Sequence, residues 1–499
     1  MQKKYLSIFI FIIAINRIAA QEDSSNSLIN LKTYINKILR TDSTLMSSQF
    51  SICISDLQSN KTLMGIHEQQ AMVPASNLKL LTTITALDVL GSSYKFETKV
   101  FTLGKIDVNG ILLGNVLIEG NGDPTLGSDK FTNNMIGNAV TKKIAEGLAA
   151  KGIKKIQGNL IVLLPLEDLQ PVPNFWTWGD IGNYYGAAST SLNFMDNMFK
   201  VTFKPKTELI LKAEVISIVP ALPTFQITNL VTSGKPKSGD RSCIYTTPYS
   251  SSILMQGTVA AAIGKENIVV KGAHPNAAKQ LLYFLRNDLS SLNIATVGID
   301  SIVFAKPNEA LTMENKSLVM SIPSPTLAEI INVTNLQSMN LYAEAMFKTV
   351  GKKLCNSSNY DSTCIAVKKY WAKKGIAVSG MNLYDGSGLS PTNTMTTLQF
   401  TQLLGYAAKK TWFSILQSSL PVAGESGTLY KMCKGTVAEG KILAKTGTLS
   451  KISAYSGIVK VAGKRTLAFS IMVNYYEGKP ADLSARIEKI FCKMVGLEW

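Results

Sequence analysis

The chain has 499 residues and only two histidines, His67 and His274. A Ser-His-Asp triad needs a histidine as its base, and zinc enzymes usually take several as ligands. Both chemistries therefore have almost no material here. The Gly-x-Ser-x-Gly elbow is missing too, since Gly386-Ser387-Gly388 and Gly424-Glu425-Ser426-Gly427 fail its spacing. No cysteines stand at the two-residue spacing of a zinc knuckle. Blocks of charge are absent. The net charge of +17 is spread along the chain, which argues against a nucleic-acid footprint but suits an anionic envelope polymer. Long apolar runs are also lacking. The best, Tyr5–Ile15, is too short to span a bilayer.

What is present begins with that run. Lys3 and Lys4 precede it, and Arg17 and Ile18-Ala19-Ala20 follow, in the layout of a signal peptide cleaved after Ala20. Gln21 leaves no cysteine for lipid attachment. Export would place the six cysteines in an oxidising compartment. Cys355 and Cys364 flank the polar stretch Asn356–Thr363, and a local bridge is expected there. The other four are open between pairing and buried thiols.

At 46% hydrophobic and 17% charged, the chain reads as globular, and its length implies two or three domains. Ser51–Asp56 and Thr62–His67 read as a hairpin around Leu57–Lys61. Ser76–Leu90 reads as a helix capped by Gly91. Further helices are expected at Met339–Val350, closed by Gly351, and at about Asp361–Lys373, Thr396–Lys410 and Asp482–Met494. Strands are expected at Lys441–Lys445, Tyr455–Val461 and Thr466–Asn474, with a turn at Ala462–Arg465. The middle, about 98–312, is richer in strand-like runs: Gly110–Glu119, Ile156–Leu164 and Leu209–Ile218. Gly120–Leu126 is a turn and not a phosphate loop, because no Lys-Ser/Thr follows its glycines.

A histidine-poor hydrolase needs another base, and a lysine serves if its pKa is depressed. Ser76 and Lys79 lie three apart on one helical face, with Ser76 in the first turn where the dipole favours negative charge. By itself Ser-x-x-Lys is weak. Ser92–Lys95 repeats it in a loop, and for the motif taken alone a helix cap with a solvated lysine is the favoured reading. Lys445-Thr446-Gly447-Thr448 occurs once, at a strand end. Ser338-Met339-Asn340 opens a helix, although Ser-x-Asn recurs at Ser24, Ser191, Ser291 and Ser357.

Ser-x-x-Lys, Ser-x-Asn and Lys-Thr-Gly in this order resemble the signature of penicillin-recognising serine enzymes. Pro74-Ala75-Ser76-Asn77-Leu78-Lys79-Leu80 and Ser338-Met339-Asn340-Leu341-Tyr342-Ala343-Glu344 are similar to motifs of the class C low-molecular-mass penicillin-binding proteins. So are Asp385-Gly386-Ser387-Gly388-Leu389-Ser390, Leu420-Pro421-Val422-Ala423-Gly424, Gly122-Asp123-Pro124-Thr125-Leu126 and Tyr184-Tyr185-Gly186-Ala187. The likeness runs through almost the whole chain after residue 20. One departure is Met339, where that family usually has Asp.

The resemblance implies a multi-domain α/β (α+β) fold. A penicillin-binding, β-lactamase-like transpeptidase domain, an antiparallel sheet flanked by helices, is split by a large, mainly β insertion. The expected division is a catalytic domain at 21–97 and 313–499, a second domain at 98–120 and 222–312, and a third at 121–221 nested in the second. The separation of 262 positions from Ser76 to Ser338 leaves room for these.

By the same resemblance Ser76 is the nucleophile of a D-alanyl-D-alanine carboxypeptidase or endopeptidase and Lys79 its base. Ser338 relays a proton to the leaving amine, and Asn340 holds Lys79 and a substrate amide. Lys445 supplies positive potential, while Thr446, Gly447 and Thr448 meet substrate. The N–H groups of Ser76 and Thr448 form the oxyanion hole. Expected partners are peptidoglycan peptides ending in D-Ala-D-Ala and β-lactams, in the periplasm or cell envelope after crossing the inner membrane. No metal or organic cofactor is implied. Two alternatives stay open: a β-lactamase or esterase on the same fold, and a weakly catalytic envelope-binding protein. Against a class A β-lactamase, no Glu-x-x-x-Asn lies between the second and third motifs.

Overall fold

The computed structural model describes residues 26–261, 267–306, 316–461 and 465–497. The signal segment expected at 1–20 and most of the turn expected at Ala462–Arg465 lie outside the described residues. Two compact units divide the chain. The first holds the residues up to Val89, Ile331–Ser338 and Cys364–Trp499; the second holds Leu90–Ile330 and Met339–Thr363.

Unit one is built on a five-stranded antiparallel sheet. Its strands, in spatial order, are Ile442–Leu449, Ile452–Lys460, Thr466–Asn474, Gln49–Asp56 and Thr62–Ile66. The hairpin and the C-terminal strands thus form as the alternation predicts. Strands Ile452–Lys460 and Thr466–Asn474 are buried along almost their whole length because both sheet faces are covered. Helix Pro480–Val495 lays Ile487, Ile490 and Phe491 on one face, with Leu31 and Ile35 of the helix at 26–41. Helix Thr397–Ala407 packs on the other, against Gln49–Asp56 and Thr466–Asn474. Helix Leu78–Leu90 is buried from Leu78 through Leu87, so it shows no polar stripe. Gly91 follows it at φ +83°, the left-handed cap that glycine adopts freely. Ser92–Lys95 is not helical, as its context implies.

Unit two carries the mainly β insertion. A seven-stranded sheet is formed from strands between Glu97 and Pro165 and between Ala295 and Pro323. Helices Ala139–Ala150 and Ala277–Ser291 share its core. Between Met198 and Ala273 lie two three-stranded sheets, around a separate core that includes Phe199, Phe203, Val231 and Met255. The loop at Gly120–Leu126 is a turn, with Asp123 Oδ1 accepting from Thr125 N (2.8 Å) and Oγ1 (2.7 Å).

Three expectations need correction. The helix expected to close at Gly351 runs Asn340–Cys355 and ends at Asn356, φ +54°. Gly351 is inside it because a Cβ there would strike Thr363 Oγ1 and come within 2.6 Å of Ser357 O. Its glycine serves close approach and not capping. The strand expected at Leu209–Ile218 is Glu214–Val219, with Leu209, Ile210 and Leu211 exposed. The Cys355–Cys364 bridge is not formed. Cys355 is a thiol at a helix end, its Sγ 3.2 Å from Gly351 O.

His274, one of the two histidines, is fixed in unit two. Its Nδ1 accepts from Asn276 N (3.0 Å), so its Nε2–H faces Gln280 Oε1 (3.0 Å). This is the neutral form, and burial lowers its pKa to about 4. The unfolded chain takes up that proton near pH 6.5 and the folded chain does not. Stability is therefore complete above pH 6.5 and is lost progressively down to about pH 4, by up to roughly 3 kcal/mol. Thermal melts at pH 7.5 and pH 5 should show a smaller drop for His274→Gln than for the wild type.

Candidate active site

Ser76 lies in a single turn, Ala75–Asn77, that leads directly into helix Leu78–Leu90. Ala75 is fully buried at φ +47°, which costs a non-glycine residue about 1 kcal/mol. Close packing holds it there. A Cβ on Gly388 would overlap the Ala75 carbonyl, and one on Gly447 would overlap that of Pro74. The same Gly447 Cβ would lie 2.7 Å from Asn77 N and 2.9 Å from Ser76 N. Two glycines thus let a loop and a strand close on the serine's backbone. The Asn77 amide ties the turn to the sheet. Its nitrogen meets Lys445 O at 2.6 Å and its oxygen meets Ser456 Oγ at 2.8 Å.

Lys79 is fully buried one turn on. Its Nζ donates to Ser76 Oγ (2.9 Å) and to Ser387 O (2.8 Å). The loop after Asp385 aims that carbonyl. Asp385 Oδ1 accepts from Gly388 N (2.8 Å) and Asn393 Nδ2 (2.8 Å), and Oδ2 from Ser390 N (2.7 Å). Thr82 Oγ1 also donates to Gly386 O (2.5 Å).

Lys445 is the second fully buried lysine, on strand Ile442–Leu449. Its Nζ donates to Ser338 Oγ (3.0 Å) and Thr446 O (2.7 Å). Burial first, and then the charge of Lys79, hold its pKa well below the usual lysine range. Ser338 sits between two helices at φ +58°.

Strand Ile442–Leu449 is the edge of its sheet. The start of that edge is covered, because Ala444 N donates to Pro421 O and Ala423 N to Ile442 O, both 2.9 Å. Alternation along the strand turns the N–H and C=O groups of Thr446 and Thr448 to the same outer side. A cavity of about 440 Å³ opens there, lined by Ser76, Ser338, Thr428, Thr446 and Thr448 among others. Thr446 Oγ1 donates to Thr428 Oγ1 (2.7 Å).

Ser76, Lys79, Ser338, Lys445, Thr446, Gly447 and Thr448 therefore all fall in unit one, around one cavity or directly behind it. Asn340 falls in unit two, opening helix Asn340–Cys355, and its Nδ2 donates to Tyr185 O (2.7 Å). Asn77, Asp385, Ser387 and Thr428 were not assigned roles from sequence. Of these, only Asp385 carries a local signal, an acid followed by Gly and Ser that favours a side-chain-to-backbone turn. Among the described residues, no three His, Cys, Asp or Glu side chains gather as a metal site.

A model of the D-Ala-D-Ala carboxypeptidase 3 (S13) family matches residues 31–491. The chain is 27% identical over 479 residues to the D-alanyl-D-alanine carboxypeptidase of Actinomadura sp. (strain R39), covering 94% of this chain and 85% of that one. It is 26% identical over 534 residues to penicillin-sensitive carboxypeptidase A of Dictyostelium discoideum, covering 97% and 96%. The fold is that of penicillin binding protein 4 from Haemophilus influenzae, with a TM-score of 0.76 at 21% identity over 91% of this chain and 96% of that one. The packing of Gly447 on the Ser76 turn gives a direct test. Gly447→Ala must push the strand off the turn by several tenths of an ångström or more. Acylation by fluorescent penicillin should fall about a hundredfold, since misplacements of this order carry such costs.

Proposed function

We propose, for a chain that belongs to the D-Ala-D-Ala carboxypeptidase 3 (S13) family and is a serine-type D-alanyl-D-alanine carboxypeptidase/endopeptidase, that Ser76 is the nucleophile and Lys79 its base. The observation that carries this is the 2.9 Å contact of Lys79 Nζ with Ser76 Oγ inside a site that buries a second lysine. A second lysine buried in the same site disfavours charge on the first, and the proposal takes Lys79 as the amine that is neutral when Ser76 attacks.

The neutral Lys79 amine takes the Ser76 hydroxyl proton as Oγ bonds to the carbonyl carbon of the penultimate D-alanine. The carbonyl electrons move onto oxygen. The N–H groups of Ser76 and Thr448 face that oxygen, the first from a helix start and the second from the open strand edge. When the C–N bond breaks, the leaving nitrogen takes its proton from the Ser338 hydroxyl, held by Lys445 Nζ at 3.0 Å, and the proton that Lys79 took from Ser76 replaces it, so Lys79 is neutral again. Thr446 and Thr428 hold the terminal carboxylate beside Lys445, and Gly447 leaves room for substrate along the strand. Water then hydrolyses the ester on Ser76, with Lys79 again as base. Asn340 stays in the proposed set on motif order alone.

A β-lactam enters by the same acylation and stays bound because its leaving group remains tethered to the acyl chain. Peptidoglycan stem peptides are the natural substrates in this proposal, reached after export directed by residues 1–20 to the periplasm or envelope. Among the described residues no helix is long and apolar enough to cross a membrane. The proposed division is a catalytic domain at 21–97 and 313–499, a second domain at 98–120 and 222–312, and a third at 121–221. Strands Glu97–Ile106 and Lys316–Pro323 pair antiparallel, so the two ends of the insertion meet, which supports this.

Fluorescent penicillin should label the wild type and not Ser76→Ala, and Ser76→Ala should release no D-alanine from a D-Ala-D-Ala peptide. Lys79→Ala should slow acylation about a thousandfold. Labelling of Ser76→Ala at the wild-type rate would remove the nucleophile assignment.

A further inference from the structure

The cavity over Ser76 is larger than its reaction needs. At about 440 Å³ it is in the range that holds a drug-sized ligand, more than one alanine fills. Lys431, Ser484 and Glu488 line it as well. Ser484 and Glu488 stand one turn apart on helix Pro480–Val495 and so share a face. The adjoining Ile487 and Phe491 are fully buried, which fixes the helix against the sheet.

Glu488 is half-buried, and among the described residues no lysine or arginine nitrogen lies within 4 Å of its carboxylate. Its charge reaches the groups around it. Cys433 is pushed up to about 12 by burial and then by Glu488, and Tyr455 is raised mainly by burial with Glu488 contributing. A carboxylate thus faces the substrate cavity without a cation of its own.

The position of this carboxylate relative to the reaction follows from the mechanism above, on which the inference rests. With the carbonyl oxygen at Thr448, the leaving nitrogen lies toward Ser338 and Thr446. Thr446 is bonded to Thr428, and Lys431 follows three residues later on the same segment. The leaving residue therefore enters the part of the cavity bounded by 428–431 and by the last helix. Thr446, Thr428 and Lys431 suit its α-carboxylate. Glu488 suits a second group of opposite charge.

We infer that Glu488 is a specificity residue for the leaving group, favouring a terminal D-amino acid whose side chain carries an ammonium over an apolar one of equal length. The bonds made and broken are unchanged. The leaving α-nitrogen takes the Ser338 proton, and the side-chain ammonium stays charged throughout.

The test compares kcat/KM for two acyl-D-Ala-D-X peptides on the full chain, X being D-lysine or its apolar counterpart D-norleucine. A ratio measured on one enzyme cancels any loss of folded protein. The wild type should prefer D-lysine about fivefold, the scale of a partly exposed charge pair, and less as salt is raised. Glu488→Gln should bring the ratio to about one, and Glu488→Lys should take it below one. An equal rate on both peptides in the wild type, or a preference that survives in Glu488→Gln, overturns the inference. Failure of the mechanism itself has a different signature, because Ser76→Ala would then still hydrolyse both peptides.

Discussion

Two lysines with no exposed surface share one unit, and this constraint orders everything around them. A buried ammonium costs several kcal/mol unless it is bonded, and two such charges oppose each other. The structure answers by giving each nitrogen a carbonyl and a serine among its partners. Lys79 has Ser387 O and Ser76 Oγ; Lys445 has Thr446 O and Ser338 Oγ. The carbonyls fix where the nitrogens sit. The serines are the groups through which protons can leave. In the proposed mechanism, placement of the lysines therefore determines which hydroxyls become reactive.

Much of this was legible in the chain because it is local. Helix Leu78–Leu90, its cap at Gly91 and the three C-terminal strands follow from residue pattern over short windows. The pairing of motifs was legible only through their order. Ser92–Lys95 has the same Ser-x-x-Lys spacing as Ser76–Lys79, and a buried helix after the serine is what separates them. Tertiary contacts were not readable. The role of Asp385 depends on carrying Ser387 O to a lysine 308 residues away in sequence. Gly351 looked like a helix stop, yet the helix continues, because a neighbouring segment and not the chain's direction demanded glycine there. Nothing in the last helix hints that Glu488 faces a cavity, since amphipathic spacing says which side is buried and not what lies beside it.

The site is also a product of distant assembly. Strand Gln49–Asp56 pairs with Thr466–Asn474 across more than four hundred residues of sequence, and the Ser76 turn is closed by Gly388 and Gly447. Such non-local pairing pays loop-closure entropy before any contact rewards it. The pairing of Glu97–Ile106 with Lys316–Pro323 shortens that search by drawing the ends of the insertion together. A folded insertion can act as a short tether between the parts of the catalytic unit.

The strand that carries Lys445 ends its sheet, and a bare edge invites other chains to add to it. Here the invitation is cut to a window. Residues Pro421–Ala423 occupy the first half of the edge, leaving the stretch around Thr446–Thr448 open. A window of that length is too short to seed strand-on-strand growth between molecules, which needs a longer continuous ladder. It suffices for the last two or three residues of a peptide. The segment that shields the molecule from self-association thereby also limits how much of any extended chain can be read beside Ser76, and favours chain ends and short branches over the interior of folded proteins.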